Sequence, residues 1–244
     1  MTIKFDFSDI ITAFQVFDAT RFVSHSILHC DDEMEVKAMK FAFFDLDGTL
    51  RETKSGERFI NKPDDQQSIP GANEALAYYF SEGFHCIGIT NQGGVAAGHK
   101  SLDDAIKEQQ ITLDLFPELS KIFMSVAYDS EGSYVISRFE ETYFDAGQPG
   151  YLSRKPAPGM ILSALRQAFG TAELLFSEES FMVGDRLEDC ECAKACNLKF
   201  IWASDFLKQF TKPRTVTTTS CVVDVVDPID FNNPDSPDYD PIPF

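Results

Sequence analysis

Asp45 and Asp47 stand one residue apart, directly after the mainly apolar residues 40–44 and before Gly48. A short β-compatible run that is ended by turn-forming residues predicts a buried strand over residues 40–44. Open α/β sheets bind their ligands at the carboxyl ends of such strands. One carboxylate placed there could attack phosphorus while the other moves a proton, so the spacing indicates phosphoryl-transfer chemistry.

The Asp-x-Asp pair has two other interpretations. A calcium-binding loop would need oxygen ligands at alternating positions, a Gly at the sixth position and a Glu at the twelfth. Counted from Asp45, the Gly is the fourth residue and the twelfth is Gly56, so the calcium pattern is not met. An ordinary acidic turn stays open for any lone pair of this kind, and further motifs have to decide.

Two further polar clusters could bind phosphate. Thr90 and Asn91 end a predicted strand and come shortly before two glycines, so a hydroxyl and backbone N–H groups can surround phosphate oxygens there. Arg154 and Lys155 stand just before a predicted helix, where Lys155 offers a compact positive charge. Each signal is weak by itself, because the first could be an ordinary loop and surface cations are usually only solvated.

Asp185 and Asp189 form a second carboxylate pair. Asp185 directly follows the apolar residues 181–183 and a Gly, which predict another buried strand. If a helix begins after this strand, the two carboxylates lie four residues apart on one helical face. Two carboxylates in that arrangement can hold or orient a hard cation.

The remaining pattern alternates strands with helices, which is typical of a doubly wound, Rossmann-like α/β fold with a parallel sheet and helices on both faces. The predicted strands cover residues 40–44, Phe84–Thr90, Ile122–Tyr128, Phe181–Gly184 and Lys199–Trp202. The predicted helices cover residues 70–81, 102–115, 158–169 and 187–196. The interval between Leu50 and Pro70 leaves room for a short flap but for no large cap domain.

We expect one main domain over residues 39–214, because 244 residues with 43% hydrophobic content can form one sizeable core. Residues 1–38 are expected to be an N-terminal extension. Residues 215–244 are expected to be an acidic, Pro-rich tail, since residues 221–244 contain six Asp and no Lys or Arg. A solvated terminus is the simpler interpretation of this tail, and a segment that covers the active site is the alternative.

The formal net charge of −18 disfavours a nucleic-acid partner, which normally needs a basic surface. No apolar stretch approaches the roughly 20 residues that span a bilayer, and the N-terminus shows no export signal. We therefore expect a cytoplasmic protein without a membrane partner. Cys190, Cys192 and Cys196 fall within one predicted helix, where packing as reduced thiols explains them better than a metal site, since no further ligand follows nearby.

These clusters occur in the order of the motifs of the haloacid dehalogenase (HAD) superfamily of phosphohydrolases. The matching segments are residues 45–49, 90–92, 154–160 and 184–189. The chain most closely resembles subclass IIIA, which includes histidinol phosphatases, heptose bisphosphate phosphatases and polynucleotide 3′-phosphatase domains. The second and third segments carry that closer match.

The resemblance implies a Mg²⁺-dependent phosphomonoester hydrolase that forms an aspartyl-phosphate. It assigns the nucleophile to Asp45, the general acid and base to Asp47, and charge stabilisation to Lys155. A carboxylate and a phosphate ~4 Å apart repel each other by about 4 kcal/mol at an effective dielectric of 20, which Mg²⁺ and Lys155 would offset. Asp47 must begin protonated, and we expect the neighbouring acidic groups to raise its pKa.

The resemblance also implies the residues that bind ligands. Thr90 would hold the phosphoryl oxygens with help from the Asn91 backbone, and Arg154 would take part in substrate binding. Asp47 would bind the metal through its backbone carbonyl, and Asp189 would support the other ligands. The predicted Mg²⁺-binding residues are thus Asp45, Asp47, Asp185 and Asp189.

Two features bear on the substrate. Heptose bisphosphate phosphatases commonly carry a Cys/His zinc loop ahead of the Arg-Lys-Pro segment, but residues 100–154 contain no Cys and no His, so this zinc site is absent. An uncapped site makes the aromatic-rich segment Asp129–Leu152 the candidate specificity loop. We expect a small sugar or metabolite phosphate as substrate. The alternatives are a polynucleotide 3′-phosphatase and a non-catalytic, partner-binding protein, of which the second is disfavoured because the motif carboxylates and Lys155 are all present.

Overall fold

A computed structural model describes residues 39–169 and 177–211. The extension predicted over residues 1–38 and the tail predicted over residues 215–244 lie outside these ranges. Within the described residues, no helix combines the length and the apolar character needed to cross a membrane.

The described residues form nine strands and six helices. The strands are β1 (Lys40–Phe44), β2 (Arg51–Glu52), β3 (Gln67–Ser68), β4 (Phe84–Asn91), β5 (Leu119–Ser125), β6 (Ser133–Ser137), β7 (Tyr143–Asp145), β8 (Phe181–Gly184) and β9 (Lys199–Trp202). The helices are α1 (Ala72–Ser81), α2 (Gly93–Ala96), α3 (Leu102–Leu115), α4 (Gly159–Phe169), α5 (Leu187–Ala195) and α6 (Ala203–Thr211). One sheet has the strand order β7-β6-β5-β4-β1-β8-β9, while β2 and β3 pair as a separate antiparallel hairpin.

Five neighbouring strands, β5-β4-β1-β8-β9, run parallel, which confirms the predicted doubly wound sheet. β1 lies between β4 and β8, so that Phe43 is opposite Ile87 on one side and Met182 on the other. The carboxyl ends of parallel strands meet at one edge of a sheet. Asp45 and Asp185, which follow β1 and β8, are therefore brought to neighbouring positions at that edge.

Alternate residues of β1 pack on opposite faces of the sheet, as the two-residue period of a strand requires. Phe41 and Phe43 belong to a buried cluster with residues of α4 and α5, including Leu165 and Cys192. Phe44 points to the other face and contacts Phe206 of α6, with ring centroids 5.8 Å apart. Helices therefore cover both faces, as predicted.

An aromatic cluster fills the second face. The ring of Tyr79 in α1 lies 4.8 Å from Phe181 of β8 and 5.5 Å from Phe206 of α6, measured between centroids. Phe84 at the start of β4 joins the same cluster, 5.2 Å from Tyr79. These contacts hold α1 and α6 against the strands whose far ends carry Asp45 and Asp185.

The structure differs from the sequence-based prediction in one strand boundary and in several additional elements. β5 begins three residues earlier than the predicted strand over Ile122–Tyr128. β6 and β7 were not predicted, and they extend the sheet in antiparallel fashion. The β2–β3 hairpin, the short α2 and the closing helix α6 are also additional. Between Leu50 and Pro70 the chain forms only this hairpin and its loop, so the predicted absence of a large cap domain is confirmed for this interval.

The cysteines of α5 pack as predicted. All three have buried free thiols in the cluster that contains Phe41 and Phe43: Cys190 and Cys192 within α5, and Cys196 directly after it. Burial raises the pKa of Cys196 to about 12 and that of Cys192 further still. Such thiols stay protonated and behave as small apolar side chains.

Replacing Phe206 with Ala is expected to lower the free energy of unfolding by about 3–5 kcal/mol, because a fully buried ring is removed from the aromatic cluster. Equilibrium unfolding in urea measures this loss. The matched control is Phe80→Ala in α1, whose ring is 55% exposed and whose loss is expected to change stability by less than about 0.5 kcal/mol. Equal losses for the two variants would contradict the described packing.

Candidate active site

The buried ammonium of Lys155 lies at the centre of the edge where β1, β4 and β8 end. Its Nζ atom is 2.5 Å from Asp45 Oδ1 and 2.6 Å from Asp189 Oδ1, and it donates a hydrogen bond to the backbone carbonyl of Ile89 at 3.1 Å. Burial alone would lower the pKa of Lys155, but the two carboxylates raise it above its ordinary value. Lys155 is therefore a permanent positive charge between two carboxylates.

Asn91 fixes the backbone of Lys155. Its side-chain amide donates to the Lys155 carbonyl, and its side-chain oxygen accepts from the Lys155 N–H, both at 3.0 Å. The predicted contact of the Asn91 backbone with phosphate remains a prediction, while the structure gives the Asn91 side chain a positioning role. We call this pair of hydrogen bonds the Asn91 clamp. Thr90, one residue before Asn91, is buried.

Asp45 lies directly after β1 and contacts Lys155. Its backbone N–H donates to the Val183 carbonyl at 2.9 Å, which holds the residue between β1 and β8. The Thr49 hydroxyl donates to its Oδ2 atom at 3.2 Å. Burial, with smaller contributions from the charges of Asp189 and Asp47, raises the pKa of Asp45 to about 7 although Lys155 opposes the shift.

The environment of Asp47 differs from the sequence-based expectation. We expected acidic neighbours to raise its pKa, and that expectation is wrong. Loss of water raises the pKa, and the buried Arg51 guanidinium, which donates from Nε to Asp47 Oδ1 at 2.9 Å, opposes that rise through its charge and its hydrogen bond. With the charges of Lys100 and Lys155 added, the pKa of Asp47 is held below its ordinary value.

Three carboxylates could hold a metal ion. Asp45, Asp185 and Asp189 each offer an oxygen, and these atoms lie within 4.8 Å of one another. Gly48 permits this approach, because its φ is +86° and a Cβ there would lie 2.5 Å from Asp185 Oδ2. An all-oxygen, carboxylate-rich set is the type that Mg²⁺ prefers, so these residues fit the ion. The Asp47 carboxylate lies outside this set, since it faces Arg51.

Arg154 lies at the rim of the site. The carbon at the centre of its guanidinium is 4.7 Å from the centroid of the Tyr128 ring, which is 57% exposed. The guanidinium also packs close to Gly93, since a Cβ added at Gly93 would lie 3.2 Å from Arg154 Nη2. These contacts do not test the predicted binding of substrate by Arg154, which stays a prediction.

Sequence reasoning missed the residues behind Asp47. The sequence motifs include none of Arg51, Lys100 and Glu108, although Glu108 forms ion pairs with both cations. A signal was available in α3, where the buried positions include Glu108 and Thr112 at helical spacing among apolar residues. Polar residues on the buried face of a helix need buried partners, and that requirement could have indicated the cluster.

Residues 40–214 match the family described as polynucleotide kinase 3 phosphatase. The chain belongs to this family. The result confirms the resemblance to the HAD superfamily, and the chain is a phosphatase of that superfamily. The match covers the three strand ends and the Lys155 loop described above.

Individual relatives carry one recurring name. The chain is 31% identical over 164 residues to the D-glycero-beta-D-manno-heptose-1,7-bisphosphate 7-phosphatase of Pasteurella multocida, which covers 66% of this chain and 78% of the relative. The enzyme of the same name from Escherichia coli K12 is 28% identical over 162 residues, covering 66% and 77%. A solved D,D-heptose 1,7-bisphosphate phosphatase from B. bronchiseptica, complexed with magnesium and phosphate, is 21% identical with a TM-score of 0.46, covering 72% and 89%.

Asp45→Asn is expected to raise the thermal midpoint of the metal-free protein by a few degrees at pH 8. The pKa of Asp45 is raised to about 7, above its value in an unfolded chain, so its ionisation destabilises the folded state above pH 7. The gain should shrink as the pH falls below 7 and vanish near pH 4, where Asp45 itself is protonated. Thermal unfolding of both proteins in EDTA from pH 4 to 8.5 measures the difference between their midpoints.

The matched control for this titration is Asp205→Asn, which changes an exposed carboxylate of α6. Its effect on the midpoint should be small at every pH. A destabilised Asp45→Asn protein at pH 8 would show that Asp45 is held as a favourable ion pair with Lys155, and would contradict the stated direction.

Proposed function

We propose that this phosphatase hydrolyses the phosphomonoester of a small sugar or related metabolite, with Asp45 as nucleophile and Mg²⁺ as cofactor. The observation that carries the proposal is the buried Lys155 ammonium between Asp45 and Asp189. An attacking carboxylate and a phosphate repel each other by about 4 kcal/mol at ~4 Å and an effective dielectric of 20. A cation between the two carboxylates lowers this repulsion. The heptose bisphosphatase relatives support a sugar phosphate as the substrate.

In the first half of the reaction, a carboxylate oxygen of Asp45 attacks phosphorus and the ester P–O bond breaks. Asp47 donates a proton to the departing alkoxide, and the phosphoryl group stays on Asp45 as an aspartyl-phosphate. The pKa of Asp47 is lowered in the free protein, so this step requires proton uptake with the substrate, whose negative charge raises a nearby carboxyl pKa.

In the second half, Asp47 accepts a proton from a water molecule, which attacks the phosphorus of the aspartyl-phosphate. Inorganic phosphate leaves, and Asp45 regains its carboxylate. The low pKa of Asp47 in the free protein suits its return to the ionised form after turnover. Lys155 stays within reach of Asp45 throughout and offsets the charge on its oxygens.

Ligand binding is assigned to the residues that surround these groups. Asp45, Asp185 and Asp189, with the backbone carbonyl of Asp47, would hold Mg²⁺, which when bound neutralises charge on the nucleophile and the phosphate. The phosphoryl oxygens would be bound by Thr90 and the Asn91 backbone, and the rest of the substrate by Arg154 and the segment Asp129–Leu152.

Polynucleotide 3′-phosphatase activity is the second candidate. The family description over residues 40–214 favours it, as does the exposed Tyr128 ring, which offers a stacking surface for a base next to Arg154. The net charge of −18 weighs against it. A purely partner-binding role is disfavoured, because Asp45, Lys155 and Asp189 form one buried, paired group.

We extend the proposal to cellular location and chain organisation. The buried free cysteines of the described residues fit a reducing, cytoplasmic environment. The domain bounds of 39–214, with an extension over residues 1–38 and a tail over residues 215–244, remain predictions.

Phosphate release is expected from sugar phosphates in the presence of Mg²⁺ and is expected to fall to background with EDTA. The panel contains p-nitrophenyl phosphate, sugar phosphates and bisphosphates, nucleotides and a 3′-phosphorylated DNA oligonucleotide. Asp45→Asn should abolish release from every substrate, while Asp205→Asn should retain it. Highest turnover on the oligonucleotide would select the second candidate, and Asp45-independent release would contradict the mechanism.

Asp185→Asn is expected to raise the Mg²⁺ concentration for half-maximal activity roughly tenfold or more, because one charged ligand oxygen becomes neutral. Initial rates over a Mg²⁺ titration measure this shift. If Asp185 does not bind the ion, the half-maximal concentration will match that of wild type and Asp205→Asn.

A further inference from the structure

A buried polar cluster lies directly behind Asp47. Its members come from the β2–β3 hairpin, from the segment between β4 and α3, and from α3 itself. Its formal charges balance once Asp47 is included. We call it the Arg51 network, and it consists of Arg51, Gln66, Gln92, Lys100, Glu108 and Thr112.

Arg51 is held on every side. Its side chain is fully buried, and Nε donates to Asp47 Oδ1 at 2.9 Å while Nη2 donates to Glu108 Oε1 at 2.6 Å. Nη1 donates to Gln66 Oε1 at 3.1 Å and to the Thr112 hydroxyl. A planar guanidinium with its donors engaged in this way has a fixed orientation.

Glu108 ties the network together. Its Oε1 atom accepts from Arg51 and from Gln92 Nε2, the latter at 3.2 Å, and its Oε2 atom accepts from Lys100. Gln92 Nε2 also lies 3.3 Å from Asp47 Oδ2, and Gln92 Oε1 accepts from Lys100 at 3.2 Å. Each oxygen of Asp47 is thus contacted by a side chain that Glu108 holds.

Stability alone explains such a network poorly. Buried ion pairs pay a desolvation cost that well-packed apolar side chains avoid, so replacing them is often neutral or stabilising. Asp47 is also the most exposed of the ion-paired groups: 39% of its side chain is accessible, against none of Arg51 and Glu108 and 12% of Lys100. Among these ion-paired groups, the network therefore meets solvent chiefly through the side chain of Asp47.

We propose that Arg51 and Gln92, both anchored by Glu108, are positioning residues that fix the Asp47 carboxylate for proton transfer. The inference rests on the proposed acid and base role of Asp47. Arg51 and Gln92 contact the carboxylate oxygens of Asp47 and act on the reaction through the orientation of that carboxylate. General acid and base catalysis depends on such geometry, since the proton must pass between atoms in hydrogen-bond contact.

The two halves of the reaction depend on Asp47 to different degrees with different leaving groups. A sugar alkoxide needs the proton from Asp47 to leave, whereas p-nitrophenolate is stable without one. Hydrolysis of the aspartyl-phosphate needs Asp47 as base whatever the first substrate was. A misplaced Asp47 should therefore slow both steps with a sugar phosphate but only the second step with p-nitrophenyl phosphate.

The test compares Arg51→Lys and Gln92→Met with wild type on hexose 6-phosphate and p-nitrophenyl phosphate. For Arg51→Lys we expect kcat on hexose 6-phosphate to fall roughly 100-fold with a nearly unchanged KM, since general acid and base catalysis contributes about 10²–10⁴-fold. With p-nitrophenyl phosphate, rapid mixing should show a burst of p-nitrophenolate of about one equivalent per active site. Gln92→Met should show the same pattern with a smaller fall.

Leu165→Ala is the control for lost stability, because it creates a cavity in the core under α4 without touching the network. It should lower the thermal midpoint and leave the kcat ratio of the two substrates unchanged. Equal kcat losses on both substrates without a burst, or wild-type kinetics in Arg51→Lys, would overturn the inference. The proposed function is tested by whether wild-type turnover requires Asp45, whatever the result for Arg51→Lys. The positioning role of Arg51 can therefore be wrong while the proposed function holds.

Discussion

The structure of the site depends on the buried ammonium of Lys155, which contacts Asp45 and Asp189. A buried ammonium needs a charged partner and further hydrogen-bond acceptors, and the groups around Lys155 come from different parts of the chain. Asp45 follows the central strand β1, whereas Asp189 lies in the first turn of α5 and accepts from the Arg186 N–H at 3.0 Å. The chain must therefore complete its parallel sheet before Lys155 can be buried, which couples the assembly of the fold to that of the site.

The parallel strands could be predicted where the sequence shows short apolar runs, as in β1 and β8. Other elements lack that signal. β5 begins with Leu119, but the polar Ser120 and Lys121 follow it and interrupt the apolar pattern, although Lys121 is buried and paired with Glu140. β7 exposes Tyr143 and Phe144, so it shows no alternation of buried and exposed residues, and β2 and β3 are two residues long.

The positions of Asp45 and Asp185 directly after strands were also predicted from the sequence, whereas the pairing of those two strands is known only from the structure. The electrostatic environment of Asp47 was not predicted correctly. Its neighbour Arg51 is four residues away, but the orientation of Arg51 depends on Glu108, 57 residues further along the chain. Sequence motifs indicate which groups can carry charge, whereas the protonation of each group depends on contacts that only the folded chain brings together.

The Asn91 clamp, the two hydrogen bonds between the Asn91 side chain and the Lys155 backbone, makes the position of Lys155 independent of the loops before it. One side chain bonds both the N–H and the carbonyl of Lys155, as an adjoining strand would, so the lysine is anchored to β4 from outside the sheet. The intervening segment is closed at its base by a backbone hydrogen bond of 2.9 Å from Ser153 to Ser130. Sequence changes in the loops between those two serines can therefore alter which molecules reach the site while Lys155 keeps its anchor to β4.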